Sequence, residues 1–167
     1  MKPSERPVID IPHTSLEVAL EAVAVGGLFL IVIMVALFWS SLPALVPSHF
    51  GVSGTPDAWS DKWAILILPL VSLVLYALLT LSNRYPHKFN YAWPITPHNA
   101  ERQYKLAHSL IIWLKMEVML LFAYLEWTTI RTALDQTVGL GIAFLPLVLV
   151  AIFGTIGVYF YQAFLAR

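Results

Sequence analysis

The sequence predicts an all-α integral membrane protein of four transmembrane helices in two hairpins, with the N and C termini cytoplasmic. Three observations predict it. Hydrophobic residues make up 59% of the chain and charged residues only 12%, against roughly 45–50% and about 25% in soluble domains. The charges gather in short stretches between long uncharged runs, as expected of a chain that folds with lipid as solvent. Four of those runs reach the roughly twenty apolar residues that a helix needs to cross a bilayer. No window reads as a strand of alternating polarity, and too few segments exist to close a membrane barrel.

The whole chain, 1–167, reads as a single four-helix membrane domain with helices at about 18–42, 63–82, 106–128 and 138–165. The first helix is uncharged after Glu21 and is too long for a signal-peptide core, so it is expected to stay. The second lies between Lys62 and Arg84, with Pro69 marking a kink or a break near its start. The third is interrupted by Lys115, Glu117 and Glu126. The fourth carries Gly139, Gly141, Gly154 and Gly157, with Pro146 as a candidate kink, and its length predicts tilt or projection beyond the bilayer. Gly154 and Gly157 are three apart, not four. They therefore form a packing surface, within the bundle or with a partner, rather than a small-xxx-small motif.

Lys and Arg set the orientation. Lys2, Arg6, Arg84, Lys88, Arg102, Lys105 and Arg167 fall on one side, and Lys62 and Arg131 on the other. The termini and the loop 83–105 should therefore face the cytoplasm, and the loop 43–62 the outside. Trp39, Trp59 and Trp63 flank the outer loop, and Tyr85, Tyr91, Trp93 and Tyr104 lie in or beside the inner one, matching aromatic belts at headgroup depth. Formal net charge is zero, which gives no reason to expect nucleic acid as a partner. Cysteine is absent, so disulfides, thiolate metal sites, iron–sulfur clusters and a cysteine nucleophile are excluded. The sequence calls for no cofactor, no metal and no enzymatic activity.

The outer loop carries the most specific pattern. Pro43 and Pro47 end the first helix, Gly51 and Gly54 supply turns, and Thr55-Pro56-Asp57 reads as a helix start with threonine as N-cap. Leu42, Pro43, Pro47, His49, Phe50, Gly54, Pro56, Asp57, Trp59 and Lys62 together resemble the segment called domain of unknown function 1648, over about residues 25–75. That segment is typical of SdpI-like bacterial membrane proteins. The resemblance implies a multi-pass protein of the bacterial plasma membrane. It also implies a binding role of the SdpI kind, in which an immunity and signalling protein engages a secreted toxin and a repressor.

The binding candidates are accordingly His49, Phe50, Gly54, Pro56, Asp57, Trp59 and Lys62. His49, Asp57 and Asp61 present either a metal or pH-sensitive cluster or simply a capped, hydrogen-bonded loop. Phe50 and Trp59 read as packing on the helix ends. In the inner loop His87 and His98 read as turn residues or as metal or haem ligands, and Thr96-Pro97 as a helix start.

The third helix supplies an intramembrane polar set: His108, Lys115, Glu117 and Glu126. A charge at bilayer centre costs about 2.5–3.5 kcal/mol on insertion scales, so such groups turn inward or find partners. At about 100° per residue, Lys115 and Glu117 point to nearly opposite sides and cannot pair with each other. His108, Lys115 and Glu126 share one face within about 40°, with Met119 and Phe122 between them. That stripe reads as an ion path, a ligand lining, or structural pairing with Lys115 snorkelling to the headgroups. Glu117 needs a partner among Tyr76, Ser72, Thr155 and Tyr159. Three readings follow: a binding protein, an accessory subunit of a larger complex, and a small transporter using Lys115 and Glu117. Expected partners are the bilayer and a protein (a peptide or toxin, a repressor or complex subunits), with an oligomer also allowed.

Overall fold

The computed structural model describes residues 6–167; Lys2, counted above for orientation, lies outside the described residues. Among the described residues, four helices are long and apolar enough to cross a membrane. They are α1 (Ser15–Phe38), α2 (Ile67–Ser82), α3 (Ala100–Ala133) and α4 (Phe144–Leu165), with a short 3-10 turn extending α1 over Trp39–Ser41. The molecule is thus a mostly helical multi-pass membrane protein.

Each helix begins for a local reason. Thr14 caps α1: its hydroxyl accepts the Glu17 N–H at 3.2 Å, and the Glu17 carboxylate accepts the Thr14 N–H at 2.8 Å. This reciprocal box satisfies two donors that a helix start leaves open. Before α2, Lys62–Leu66 forms a 3-10 segment capped by Asp61, so Pro69 falls in the first α-helical turn, where no ladder bond is lost. Thr96 and Asn99 exchange side-chain bonds with each other's N–H groups ahead of α3, whose N-cap is Asn99, so Thr96-Pro97 precedes the helix by a turn instead of starting it.

Three expectations need correcting. The stretch 43–62 is not an irregular loop with a helix start at Thr55: it is an antiparallel hairpin of β1 (Leu45–Phe50) and β2 (Pro56–Asp61). Alternation was hidden because Val46 and Pro47 are both buried and the register is broken on either side of His49. Each irregularity shifts the period-2 pattern. The third helix runs well past 106–128, to 34 residues, about 50 Å at 1.5 Å per residue. The fourth starts at Phe144 instead of 138, so Pro146 sits harmlessly in its first turn.

Gly139 and Gly141 precede α4 and take positive φ values of 129° and 80°. They receive the hairpin tip. Leu140 N–H donates to the Gly54 carbonyl at 2.7 Å, and a Cβ on Gly139 would stand 2.1 Å from that oxygen. Only glycine permits so close a backbone approach.

α3 is the central helix. It packs most extensively on α1 and also meets α2, α4 and β1. Near the hairpin end, Ile31 and Val35 of α1, Val46 of β1, Ile65, and Ala123 and Ile130 of α3 form one apolar cluster. At the opposite end Ile95, Ala100 and Tyr104 form another, covered by Ile9 and Ile11 of the N-terminal lead. Between the two clusters α1 and α3 touch at Gly27, where a Cβ would lie 3.3 Å from Met119 backbone and side chain. Gly27→Leu should therefore overpack this contact and cost about 1–3 kcal/mol. The thermal midpoint of the detergent-solubilised protein should fall for Gly27→Leu and hold for Gly26→Leu, where a Cβ meets nothing within 4 Å. Equal midpoints would contradict the packing described.

Candidate functional site

Two regions contain the chemistry: the hairpin and the polar side chains along α3. In the hairpin the register break turns His49 toward Asp57, and Nδ1 lies 2.6 Å from Asp57 Oδ1. Both side chains are exposed, so the pair stiffens the strand ends and contributes about 0–1 kcal/mol. Asp61 is not part of this cluster. It stands at the other end of the ladder opposite Leu45, where its carboxylate accepts the Trp63 N–H at 3.0 Å. Among the described residues, no three His, Cys, Asp or Glu side chains gather where a metal ion could sit.

Of the other hairpin candidates, Gly54 is buried against the α3–α4 loop and Pro56 is half-buried. Lys62 donates to the Leu42 carbonyl at 3.2 Å and lies over the Trp39 ring, which packs on Trp63. Phe50 turns down onto a cavity of about 220 Å³ beside Glu126. Trp59 does not cover a helix end: it is 48% exposed. The exposed surface of the hairpin includes Trp59, His49 and Asp57, with Leu45 and Val52 nearby.

Along α3 the expected stripe faces inward: His108, Lys115, Met119 and Glu126 are all buried. Lys115 does not snorkel. Its ammonium pairs with Glu21 of α1, donates to Thr80 Oγ1 of α2 at 2.9 Å, and lies 4.8 Å from the Tyr76 ring centre. Tyr76 O–H donates in turn to the other Glu21 oxygen at 3.2 Å. One buried cation therefore holds three helices. Glu117, on the opposite side of α3, accepts a 2.5 Å hydrogen bond from Thr155 of α4. Of the four partners foreseen for Glu117, Tyr76 serves Glu21, and Ser72 bonds back to Leu68 within its own helix.

A cavity of about 380 Å³ leads to the Lys115–Glu21 pair from the end opposite the hairpin. Asp10, His13, Asn83, Arg84 and His108 line it. His13 meets His108 edge-on with ring centres 4.7 Å apart. Neither His108 ring nitrogen nor Asn83 Oδ1 has a hydrogen-bond partner among the described residues. The loop 83–99 is folded and not free: Arg6 donates to the Phe89 carbonyl at 2.6 Å and to the His87 carbonyl at 3.3 Å, and Tyr91 stacks on Tyr104. Burial pushes the Tyr91 phenol up from its ordinary range. His98 is exposed on this loop.

Sequence reasoning missed Glu21, read only as the end of a charged lead, and the Thr14–Glu17 box, whose Thr-x-x-Glu spacing was legible. It missed His13 and Thr80, which nothing local marks.

Fold and site together define a small multi-pass membrane protein with a composed β-hairpin between its first two spans. Residues 26–73, covering the second half of α1, the hairpin and the start of α2, match the domain of unknown function (DUF1648). This is the segment resembled over about 25–75. The chain is also similar to an uncharacterized protein of Archaeoglobus fulgidus, with 35% identity over 98 residues, 54% of this chain and 51% of that one. The chain thus spans about half the length of the curated relative that it matches. No solved structure matches it.

Breaking a buried pair by removing one partner costs about 3–5 kcal/mol. Lys115→Met and Glu21→Leu should each depress the unfolding midpoint strongly, and the double variant should recover much of the loss. Additive losses in the double variant would contradict a direct pair.

Proposed function

We propose that this is a non-enzymatic polytopic membrane protein that acts by binding, of the SdpI-like immunity, signalling or receptor type, with the hairpin 43–62 as its recognition element. The observation that carries the reading is the hairpin's combination of anchorage and exposure. It is fixed to the bundle at Gly54 and through Val46, yet presents Trp59, His49 and Asp57 to solvent. A rigid scaffold that offers an aromatic anchor with polar neighbours suits recognition of a peptide at the membrane surface. Domain 1648 lends family support, since its match is centred on this hairpin.

The proposal includes a direction. The spans cross as two helix pairs, the hairpin lies outside, and both termini and the loop 83–105 lie in the cytoplasm, as the Lys and Arg distribution favours. The relative is archaeal, so we place the protein in the cell membrane without restricting it to bacteria. A cytoplasmic partner such as a repressor would meet the folded loop 83–105, which keeps Lys88 exposed.

One observation favours a second reading, an accessory subunit of a larger complex. α4 buries only Ala163 and leaves apolar side chains such as Leu147, Val150 and Phe153 uncovered. Transport through Lys115 and Glu117 ranks behind both, because the two residues open onto different cavities on opposite sides of α3.

The absence of cysteine makes orientation directly testable. A membrane-impermeant maleimide should label Ser53→Cys in intact cells, and His98→Cys only after permeabilisation. The reverse pattern would invert the topology and remove the recognition reading. For the hairpin itself, Trp59→Ala with Asp57→Ala should leave insertion intact and abolish recovery of the partner that wild type retains in mild detergent. Undiminished recovery would move recognition elsewhere, and stoichiometric membrane subunits held by α4 would favour the second reading.

A further inference from the structure

Away from the hairpin and from the Lys115 cavity, α3 and α4 flank a groove, open on one side, to which the binding reading assigns no role. α4 meets α3 at both ends and, at the middle, through the Glu117–Thr155 hydrogen bond, with open space on either side of that bond. At the terminal end Gln103 Nε2 donates to the Ala163 carbonyl at 2.8 Å, and Trp93 of the adjoining loop meets Phe160 and Phe164 edge-on. At the hairpin end Tyr124 stacks on Phe144 with ring centres 5.4 Å apart, and its hydroxyl donates to the Leu140 carbonyl at 3.3 Å. Between the two ends, α4 turns Ala151, Gly154 and Thr155 toward α3. These are small residues, and a Cβ on Gly154 would meet nothing within 4 Å.

The space so left consists of two cavities, about 560 Å³ toward the hairpin and about 600 Å³ toward the termini. Both are bounded by Glu117 and Ala151, so they meet at the middle of α3. Each lies in the roughly 300–1,000 Å³ range of small-molecule sites. Their walls are apolar, with Leu120 and Leu147 on one side of Glu117 and Leu110 and Val158 on the other.

Glu117 is the exception. Its Oε1 accepts from Thr155, while Oε2 is buried without a hydrogen-bond partner, and no cation stands within ion-pair distance among the described residues. A carboxylate midway along a membrane helix with one hydrogen bond is poorly compensated. A bound ammonium would supply both the missing charge and the missing donor.

We propose that the α3–α4 groove binds a single-chain amphiphilic amine, with its hydrocarbon chain in the apolar cavities and its ammonium on Glu117. The groove is open along its side, where Leu120, Leu147 and Val158 are exposed, so its occupant enters from the surrounding lipid. A single hydrocarbon chain fits beside Gly154. Charge complementarity selects an amine over a fatty acid or an uncharged lipid.

The test uses the full-length protein in nanodiscs and three photoactivatable probes that share one diazirine-bearing octadecyl chain: the amine, the alcohol and the carboxylic acid. The amine should label peptides of α3 and α4 around Glu117 in preference to the other two. Glu117→Gln should reduce amine labelling about tenfold, the factor that corresponds to 1.4 kcal/mol, while sparing the alcohol. Gly154→Leu adds a side chain where a Cβ meets nothing within 4 Å and should block the amine while size-exclusion behaviour stays that of wild type. Equal labelling by all three probes that is indifferent to both substitutions would mean an ordinary lipid-facing surface and overturn the proposal. So would protection of the groove from every probe together with disulfide-linked dimers of a Gly154→Cys variant, which would assign the surface to a second copy of the chain.

Discussion

A lysine ammonium halfway along an otherwise apolar helix can be kept only if other groups surround it, and that requirement organises this bundle. Lys115 is buried, so its partners had to come from neighbouring helices: Glu21 from α1, Thr80 and Tyr76 from α2. In lipid the apolar faces of helices gain little by leaving one solvent for the other, so polar contacts and close packing decide which helices associate. The Lys115 set does this for α1, α2 and α3, and the Gly27–Met119 contact supplies the close packing next to it. α4 has no share in that set. It is held by its ends and by Glu117–Thr155, which explains why it is the least covered of the four.

The same layer divides the molecule by chemistry. Toward the hairpin the interior is apolar, with Glu126 as an isolated carboxyl beside Phe50. Toward the termini it is polar and hollow, lined by His13, His108 and Asn83 as far as Glu21. Met119 seats on Gly27 between the two halves. The N-terminal lead contributes part of the wall of the hollow and is held by Arg6 on the loop carbonyls, so the hollow is shaped in part by residues outside the spans.

Much of this was legible in the sequence, because period and polarity are local properties. The four spans follow from run length alone, and the inward stripe on α3 follows from 100° per residue. Thr155 as the partner of Glu117 was within reach once Lys115 was excluded by angle. What could not be read was which helix faces which. Glu21 looks like the last charge of a polar lead until α3 is laid beside it. Gly139 and Gly141 look like helix residues until Gly54 arrives from far along the chain. The hairpin was misread for a different reason: proline and glycine density reports turns, and a bulge at His49 erases the alternation by which a strand is recognised.

The contact between Gly54 and the Gly139–Gly141 turn has a bearing on biogenesis. The two partners belong to different extramembrane segments, separated in the chain by α2 and α3. The hairpin tip can therefore be secured only after the third helix has crossed and the turn that follows it has emerged on the same face. Until then the Gly54 carbonyl lacks the Leu140 N–H that it accepts in the folded chain. Docking of the tip thus depends on the turn that follows α3, which a chain ending after two helices does not contain.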